Sequence, residues 1–490
     1  MSLQTGRHSP RNLSQESWLR KRRLQDSLLH LFGSHGYQLL ETPILEPTEM
    51  FLRKSGGELA SQMFSFLDPG SHAMSLRPEL TAPIMVHYLK HADEIDLPAR
   101  WQYSGPVFRY DAANLDSTGQ FTQTGAELIG SASVMADAEL IGLAARVPLR
   151  SGCNDFTLAL ADLQVLHSIL DPVELSDRAR SFIIGSVPQL REGKERIPEL
   201  LERAWQLHLT GHHVEDGLLS AAISGLNDEQ AREVLKGFLG WSGGENPQLG
   251  QRDADEVVQR LLRKVRGSDA QRHLERGLEL IAELAAVRGE PLAALDTARR
   301  IMSGAGASVT ALDRLGELVA LLLADPALSS HLVMDFGLAR GIAYYNGIIF
   351  EVTHPAQQRS LGGGGRYDPL ARALGSPESV PAAGFAYNLE SLMELVMGDT
   401  GNAPGEESGL LSWPAAALVL AGGLKTHQHA MSAAREMRRE GLLVELDVGG
   451  SSLEQALSYA SKKGFNQVVL VSEDGKRTTH QVGPDNEARL

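Results

Sequence analysis

The chain has 490 residues, 42% of them hydrophobic, a formal net charge of −15 and a single cysteine. That length can bury more than one core and suggests two to four domains, while the acidic balance argues against a chain whose main business is neutralising a phosphate backbone. Cys153 alone excludes an internal disulfide and a thiolate metal cluster, which fits a reducing compartment.

Met1 to Arg23 is polar and basic and lacks the apolar stretch of a signal peptide, and no run of about eighteen apolar residues follows, so a cytoplasmic protein with no membrane partner is expected. Trp18, Leu24, Leu28 and Phe32 recur at roughly helical spacing, which predicts a first helix ending near Gly33. The basic run Arg20 to Arg23 on it reads as a solvated face. A turn at Gly36 leads to an extended stretch from Tyr37 to Pro43. From about 165 to 325 long amphipathic helices are expected, as in Ile197 to Leu209, Asp228 to Phe238 and Val257 to Val265. Strand-like stretches resume at Leu332 to Phe336 and Ile342 to Val352, then a glycine-rich turn at Gly362 to Gly365 and a helix from Leu389 to Val396. Met397 to Ser412 is the best linker candidate. Beyond it, Ala415 to Ala421, Leu442 to Asp447 and Gln467 to Ser472 read as strands alternating with helices His427 to Glu440 and Leu453 to Lys463, a small parallel α/β domain.

Several segments fall in an order that resembles the histidyl-tRNA synthetase family and its non-catalytic relatives. They are Gly36-Tyr37 through Thr42-Pro43-Ile44-Leu45-Glu46, Leu76-Arg77-Pro78-Glu79-Leu80-Thr81-Ala82, Gly105 to Tyr110, and Gln123-Thr124-Gly125-Ala126-Glu127. Arg340-Gly341-Ile342-Ala343-Tyr344-Tyr345 and Gly364-Gly365-Arg366-Tyr367-Asp368 complete the set. The resemblance implies an α/β (α+β) chain with a class II synthetase-like antiparallel core in residues 1–160 and 326–397. It further implies a helical insertion at 161–325, a linker at 398–412 and an anticodon-binding-like α/β domain at 413–490. The first motif builds the family's dimer interface, so a homodimer is implied.

By the same resemblance, Glu79, Gln123 and Glu127, with Thr81 beside them, accept the α-ammonium of histidine, while Tyr344 and Tyr345 reach its imidazole. Carboxylates suit an ammonium and phenols can fix a ring tautomer. Each residue alone has a blander reading, a surface glutamate or a half-buried tyrosine pair; it is the family order that favours a site.

Adenylation needs fixed guanidinium groups around the triphosphate. Arg109 and Arg340 stand at two of the family's arginine positions, the catalytic pair if adenylation persists. Where active enzymes read Gly-Arg-Tyr-Arg before Gln-Phe, this chain reads Asp116-Ser117-Thr118-Gly119 before Gln120-Phe121; where they end the third motif in Gly-Leu-Glu-Arg, it reads Asn388-Leu389-Glu390-Ser391. Asp111 replaces a glutamate and Leu80 a glycine. Each lost phosphate-gripping arginine costs on the order of a hundredfold in rate, so adenylation should be silent. Arg366 belongs to a segment the family already has and is no replacement. Gly362 to Gly365 has no Gly-Lys-Ser/Thr after it and is not a phosphate loop. His212-His213 and Cys153 lack partners at metal spacing and read as structural.

A retained histidine site without its activation arginines resembles the regulatory subunits of ATP phosphoribosyltransferase. These bind a short-form catalytic subunit and transmit feedback by histidine. The alternatives are an active histidine–tRNA ligase, using ATP and magnesium, and a paralogue that charges a non-tRNA acceptor. From Leu410 to Leu490 there are nine Lys plus Arg and nine Asp plus Glu. That balance lacks the basic footprint of a tRNA-binding module, although Arg435, Arg438 and Arg439 on one helix would form a patch.

Overall fold

The computed structural model describes residues 14–54, 57–110, 119–207, 209–210, 226, 228–238, 271–338, 345–357, 360–396, 416–423 and 426–482. Among them, nine strands form one mixed sheet. In spatial order they are Gln38–Leu39, Ala99–Phe108, Gln120–Ile129, Ala382–Asn388, Gly362–Arg366, Ile348–Thr353, Thr157–Asp162, Leu332–Asp335 and Arg288–Gly289. The six strands from Ala99–Phe108 to Thr157–Asp162 are successively antiparallel to one another, and parallel pairs occur only toward the two ends, where the first and last of the six each meet a parallel neighbour. The antiparallel-rich core expected from the sequence is therefore present.

Alternation along the strands decides which side chains share a face. Ala99, Trp101, Tyr103 and Val107 pack with Leu80, Ile84, Met85 and Tyr88 at the helix Thr81–Lys90. On the opposite face Ala126 and Leu128 join the core beneath helices Gln15–Gly33 and Val134–Arg150. Phe32 is fully buried there, and truncation of a buried phenylalanine to alanine costs about 3–5 kcal/mol.

Trp18 does not share the buried stripe of Leu24, Leu28 and Phe32 and is 54% exposed. Six residues before Leu24, it is turned roughly a third of a turn from Leu24, the stripe residue nearest to it along the helix. Of the basic run, Lys21 turns inward to pair with Glu390 at 2.7 Å, while Arg20 and Arg22 pair with Glu16 and Asp26 at the surface.

The expected turn at Gly362 to Gly365 is instead a wholly buried central strand, Gly362–Arg366. A Cβ at Gly364 would collide with the carbonyl oxygen of Gly384 on the neighbouring strand. The glycines serve close backbone approach rather than a reversal.

Helices occupy most of the described part of the expected insertion, among them Ile197–Gln206, Asp228–Phe238, Gln271–Ala285, Pro291–Gly304 and Thr310–Leu323, while its strand Arg288–Gly289 joins the edge of the core sheet. Val257 to Val265, His212-His213 and the linker candidate Met397 to Ser412 lie outside the described residues. No described helix is long and apolar enough to cross a membrane. The C-terminal strands Leu443–Leu446, Ala416–Ala421 and Gln467–Val471 are parallel as expected; Arg477–Gln481 adds an antiparallel edge that the sequence reading missed.

This C-terminal unit is docked through buried polar groups. Arg100 donates to Glu139 at 2.9 Å, to Glu445 at 3.2 Å and to the Leu446 carbonyl at 2.7 Å. Val444 N–H donates to Ser34 O, and the hydroxyls of Ser131 and Ser133 donate to Val448 O. The same docking dissolves the expected basic patch on helix His427–Arg439. Arg435 pairs with Asp325 of the core, and Arg438 donates to the carbonyls of Ser34 and Val444, so both turn toward the rest of the chain.

Candidate functional site

Gln123, Gly125 and Glu127 alternate along the strand Gln120–Ile129 and so share the face that carries Tyr103. Helix Thr81–Lys90 begins against that face. Its first turn is capped by Glu79, whose carboxylate accepts from Thr81 N–H at 2.7 Å and Ala82 N–H at 3.1 Å. Leu80 N–H donates to Gln123 Oε1 at 3.2 Å, and Thr81 Oγ1 donates to Glu127 Oε1 at 2.8 Å. Glu79, Thr81, Gln123 and Glu127, separated in sequence, thus meet as one acceptor-rich group. Leu80, flagged in the sequence as added bulk, is buried and packs with Tyr103 and Tyr367.

Two side chains that the sequence reading did not assign complete the surroundings of Glu127. Tyr103 OH donates to Oε1 at 3.1 Å, and Tyr367 OH donates to Oε2. Three hydroxyls therefore orient one buried carboxylate. Burial first, then the charges of Glu127 and Glu79, push the Tyr103 phenol well above its ordinary range, so it stays a donor. Gly384 lies opposite Glu127 in register, and a Cβ there would overlap its carboxylate. Only glycine leaves room for Glu127 to lie across the sheet.

Arg109 lies beside this group: its Nε donates to Pro78 O at 2.7 Å, and its guanidinium sits 5.4 Å from the Phe121 ring centroid. Tyr345 packs against the same apolar cluster that holds Tyr103 and Tyr367. Arg340, Tyr344, Asp111 and Asp116 to Thr118 lie outside the described residues. Arg366 is buried, with its guanidinium committed to Asp137 and Asp368. Ser391, at the third-motif position, donates its N–H to Asn388 Oδ1, and its carbonyl accepts from Gln357. Glu390 beside it accepts from Thr122 N–H at 2.7 Å and Thr122 Oγ1 at 3.0 Å. Among the described residues no group of three metal-ligating side chains is gathered, and Cys153 is buried.

The family model for histidyl-tRNA synthetase matches residues 10–190 and 248–392, well over half of the chain. The chain belongs to the histidyl-tRNA synthetase family. A histidine–tRNA ligase of Methanocaldococcus jannaschii is 26% identical over 463 residues, covering 94% of this chain and 90% of that protein. One of Methanococcus maripaludis is 28% identical over 465 residues, covering 95% and 91%. Among solved structures, a Bacillus halodurans protein described as an ATP phosphoribosyltransferase regulatory subunit/histidyl-tRNA synthetase superposes with a TM-score of 0.55. It is 20% identical, with 94% of this chain and 96% of that chain covered, and supports the synthetase-family fold.

Proposed function

We propose that this chain binds free histidine without activating it and serves as a histidine-responsive regulatory subunit of a short-form ATP phosphoribosyltransferase. The α-ammonium is held by the acceptors Glu79, Gln123 and Glu127 with Thr81. The imidazole is held by Tyr345 with Tyr344, and the carboxylate faces Arg109 and Arg340. Charge-assisted bonds to an ammonium are about twice as strong as neutral ones, which gives this acceptor set its selectivity for a free amino acid.

The observation that carries the non-activating half is the arginine inventory. Ser391 and Gly119 stand where the active family places guanidinium groups, and Arg366 is spent on Asp137 and Asp368. A triphosphate site short of those cations cannot offset the charge that develops on the α-phosphate. Regulation then consists of a coupling free energy between the histidine pocket and the active site of a bound catalytic subunit, equal in both directions.

A homodimer belongs to the same proposal. Leu45 and Phe66 share one face of the small sheet formed by Leu45–Pro47, Ala73–Leu76 and Ser65–Leu67 and are 49% and 44% exposed, an apolar surface that a second copy would cover.

A second reading, histidine–tRNA ligase, is favoured by the relatives of that name, which align over about 90% of their length, C-terminal unit included. It requires ATP, magnesium and tRNA. Histidine-dependent ATP–pyrophosphate exchange separates the two. The proposal expects calorimetric histidine binding with no exchange, and recovery of a short-form phosphoribosyltransferase by the immobilised chain. Robust exchange would overturn it in favour of the ligase.

A further inference from the structure

Strands Gln120–Ile129, Ala382–Asn388 and Gly362–Arg366 lie side by side, and Glu127, Gly384 and Gly365 stand opposite one another in register. Residues paired in this way present their Cβ positions to one face of the sheet. At Gly384 that space holds the Glu127 carboxylate, and at Gly365 a Cβ would come within 2.9 Å of Cδ1 and 3.0 Å of Cε1 of Tyr345. The Tyr345 ring therefore lies over Gly365, one strand spacing of about 4.8 Å beyond the glycine that Glu127 covers. The carboxylate proposed for the ammonium and the phenol proposed for the imidazole are neighbours on a floor of two glycines.

The residue after that tyrosine is tied to the same floor. Asn346 N–H donates to Arg366 O at 3.0 Å, its Oδ1 accepts from Asp368 N–H at 3.1 Å, and its Nδ2 donates to Asp368 Oδ2 at 3.3 Å. Those partners fix the sense of the amide, because a backbone N–H only donates and a carboxylate only accepts. Between Arg366 and Asp368 stands Tyr367, whose hydroxyl donates to Glu127 Oε2. Asp368 is anchored in turn: its other oxygen, Oδ1, accepts from Arg366 Nη1 at 3.1 Å and from Ala382 N–H at 2.9 Å. Asn346 thus bonds both neighbours of a tyrosine that orients Glu127 and is itself the neighbour of the tyrosine beside Glu127.

We propose that Asn346 is a positioning residue: it holds Tyr345 at a set distance from Glu127 and so governs how strictly the pocket demands a ring bearing nitrogen. This rests on the histidine reading and assigns the control of its imidazole end. A site built to hydrogen-bond a group rejects an analogue lacking that group strongly, whereas apolar contacts discriminate little between rings of similar size. A displaced phenol gives up the first kind of discrimination and keeps the second.

Calorimetric titration of the full chain with histidine and with β-(2-thienyl)alanine, whose ring is of similar size but has no nitrogen, tests the assignment. The wild type should bind histidine roughly tenfold or more tightly than the analogue. Asn346→Asp sets a carboxylate against Asp368 Oδ2. It should weaken histidine on the order of tenfold and the analogue by less than about threefold, so that the selectivity collapses. Adding Asp368→Asn reverses the pair: the new amide oxygen keeps the bonds from Arg366 and Ala382, and its nitrogen donates to the carboxylate at position 346. The double variant should regain most of the selectivity, which a general loss of stability would not allow. Equal loss for both ligands in Asn346→Asp, no loss, or a double variant that stays unselective would overturn the positioning role while leaving the histidine reading in place. A wild type that does not bind histidine, or binds the analogue equally well, overturns the histidine reading and this role with it. Should Asn346→Asp fail to fold, Asn346→Ala, which deletes both side-chain bonds without adding charge, is judged by the same selectivity ratio.

Discussion

Thr81 Oγ1 donates to Glu127 Oε1 at 2.8 Å, joining the first residue of a helix to a carboxylate 46 residues further along, in the middle of the sheet. That bond, with those from Tyr103 and Tyr367, aims the carboxylate that is proposed to meet the ligand's ammonium. Glu127→Gln keeps the size and removes the charge. A hydrogen bond to a charged group contributes about 1.5–3 kcal/mol, so histidine should bind on the order of tenfold to a hundredfold more weakly by calorimetry. Thr81→Val, which removes one orienting donor, should cost less than Glu127→Gln. Wild-type affinity in Glu127→Gln would remove this residue from the pocket.

Asp162 supplies a pH dependence. It caps helix Leu163–Ser168 through a 2.8 Å bond from Gln164 N–H, and burial, partly offset by that bond, raises its pKa to about 6. The folded chain therefore holds this proton more tightly than the unfolded chain, where the ordinary value is near 3.8. Stability is fully retained below about pH 4, falls as pH rises toward 6, and stays lower above. The loss amounts to about 2–3 kcal/mol. Asp162→Asn can keep the cap without titrating. The unfolding free energy of the wild type minus that of the variant, from urea melts, should drop by that amount between pH 4 and 7; a flat difference defeats the prediction.

Arg100 is buried, with Glu139 on one side and Glu445 on the other. Removing one member of a buried ion group strands the others, typically at about 3–5 kcal/mol. Arg100→Gln should lower the urea midpoint accordingly and speed proteolysis within the C-terminal unit, read by mass spectrometry of the fragments. An unchanged midpoint with unchanged cleavage would mean that the docking does not depend on this arginine.

The apolar surface at Leu45 and Phe66 gives an assembly prediction. Leu45→Glu combined with Phe66→Glu places charge on exposed positions of that face, so the monomer fold should survive while sedimentation velocity shifts from dimer to monomer. A wild-type chain that sediments as a monomer at micromolar concentration would refute the homodimer.

The alternating strands and amphipathic helices were legible because burial leaves a period in the sequence: Leu389 to Val396 and Asp228 to Phe238 fold over the stretches expected. Glu79, Thr81, Gln123 and Glu127 were legible through the order of their motifs. Tyr103 and Tyr367 were not, because what brings them to Glu127 is the packing of distant strands and a helix start, and no local spacing encodes it. Tyr367 had a signal, its place in the quoted Gly-Gly-Arg-Tyr-Asp segment. Gly362 to Gly365 misled because glycine signals a turn by composition, whereas here it answers to the backbones on either side. Arg438 looked like surface charge for a related reason: a helix face is legible from sequence, but what docks against it is not.

Strand Ala99–Phe108 has been described as one member of a sheet, yet its two sides face different partners. Tyr103 presents a hydroxyl to Glu127 on one side, and three residues earlier Arg100 reaches through the other side to Glu445 and Leu446. The pocket and the C-terminal unit are thus upholstered onto a single plank of backbone. Tyr103 and Arg100 are held by one strand, with a single peptide layer between the Glu127 side and the Glu445 side.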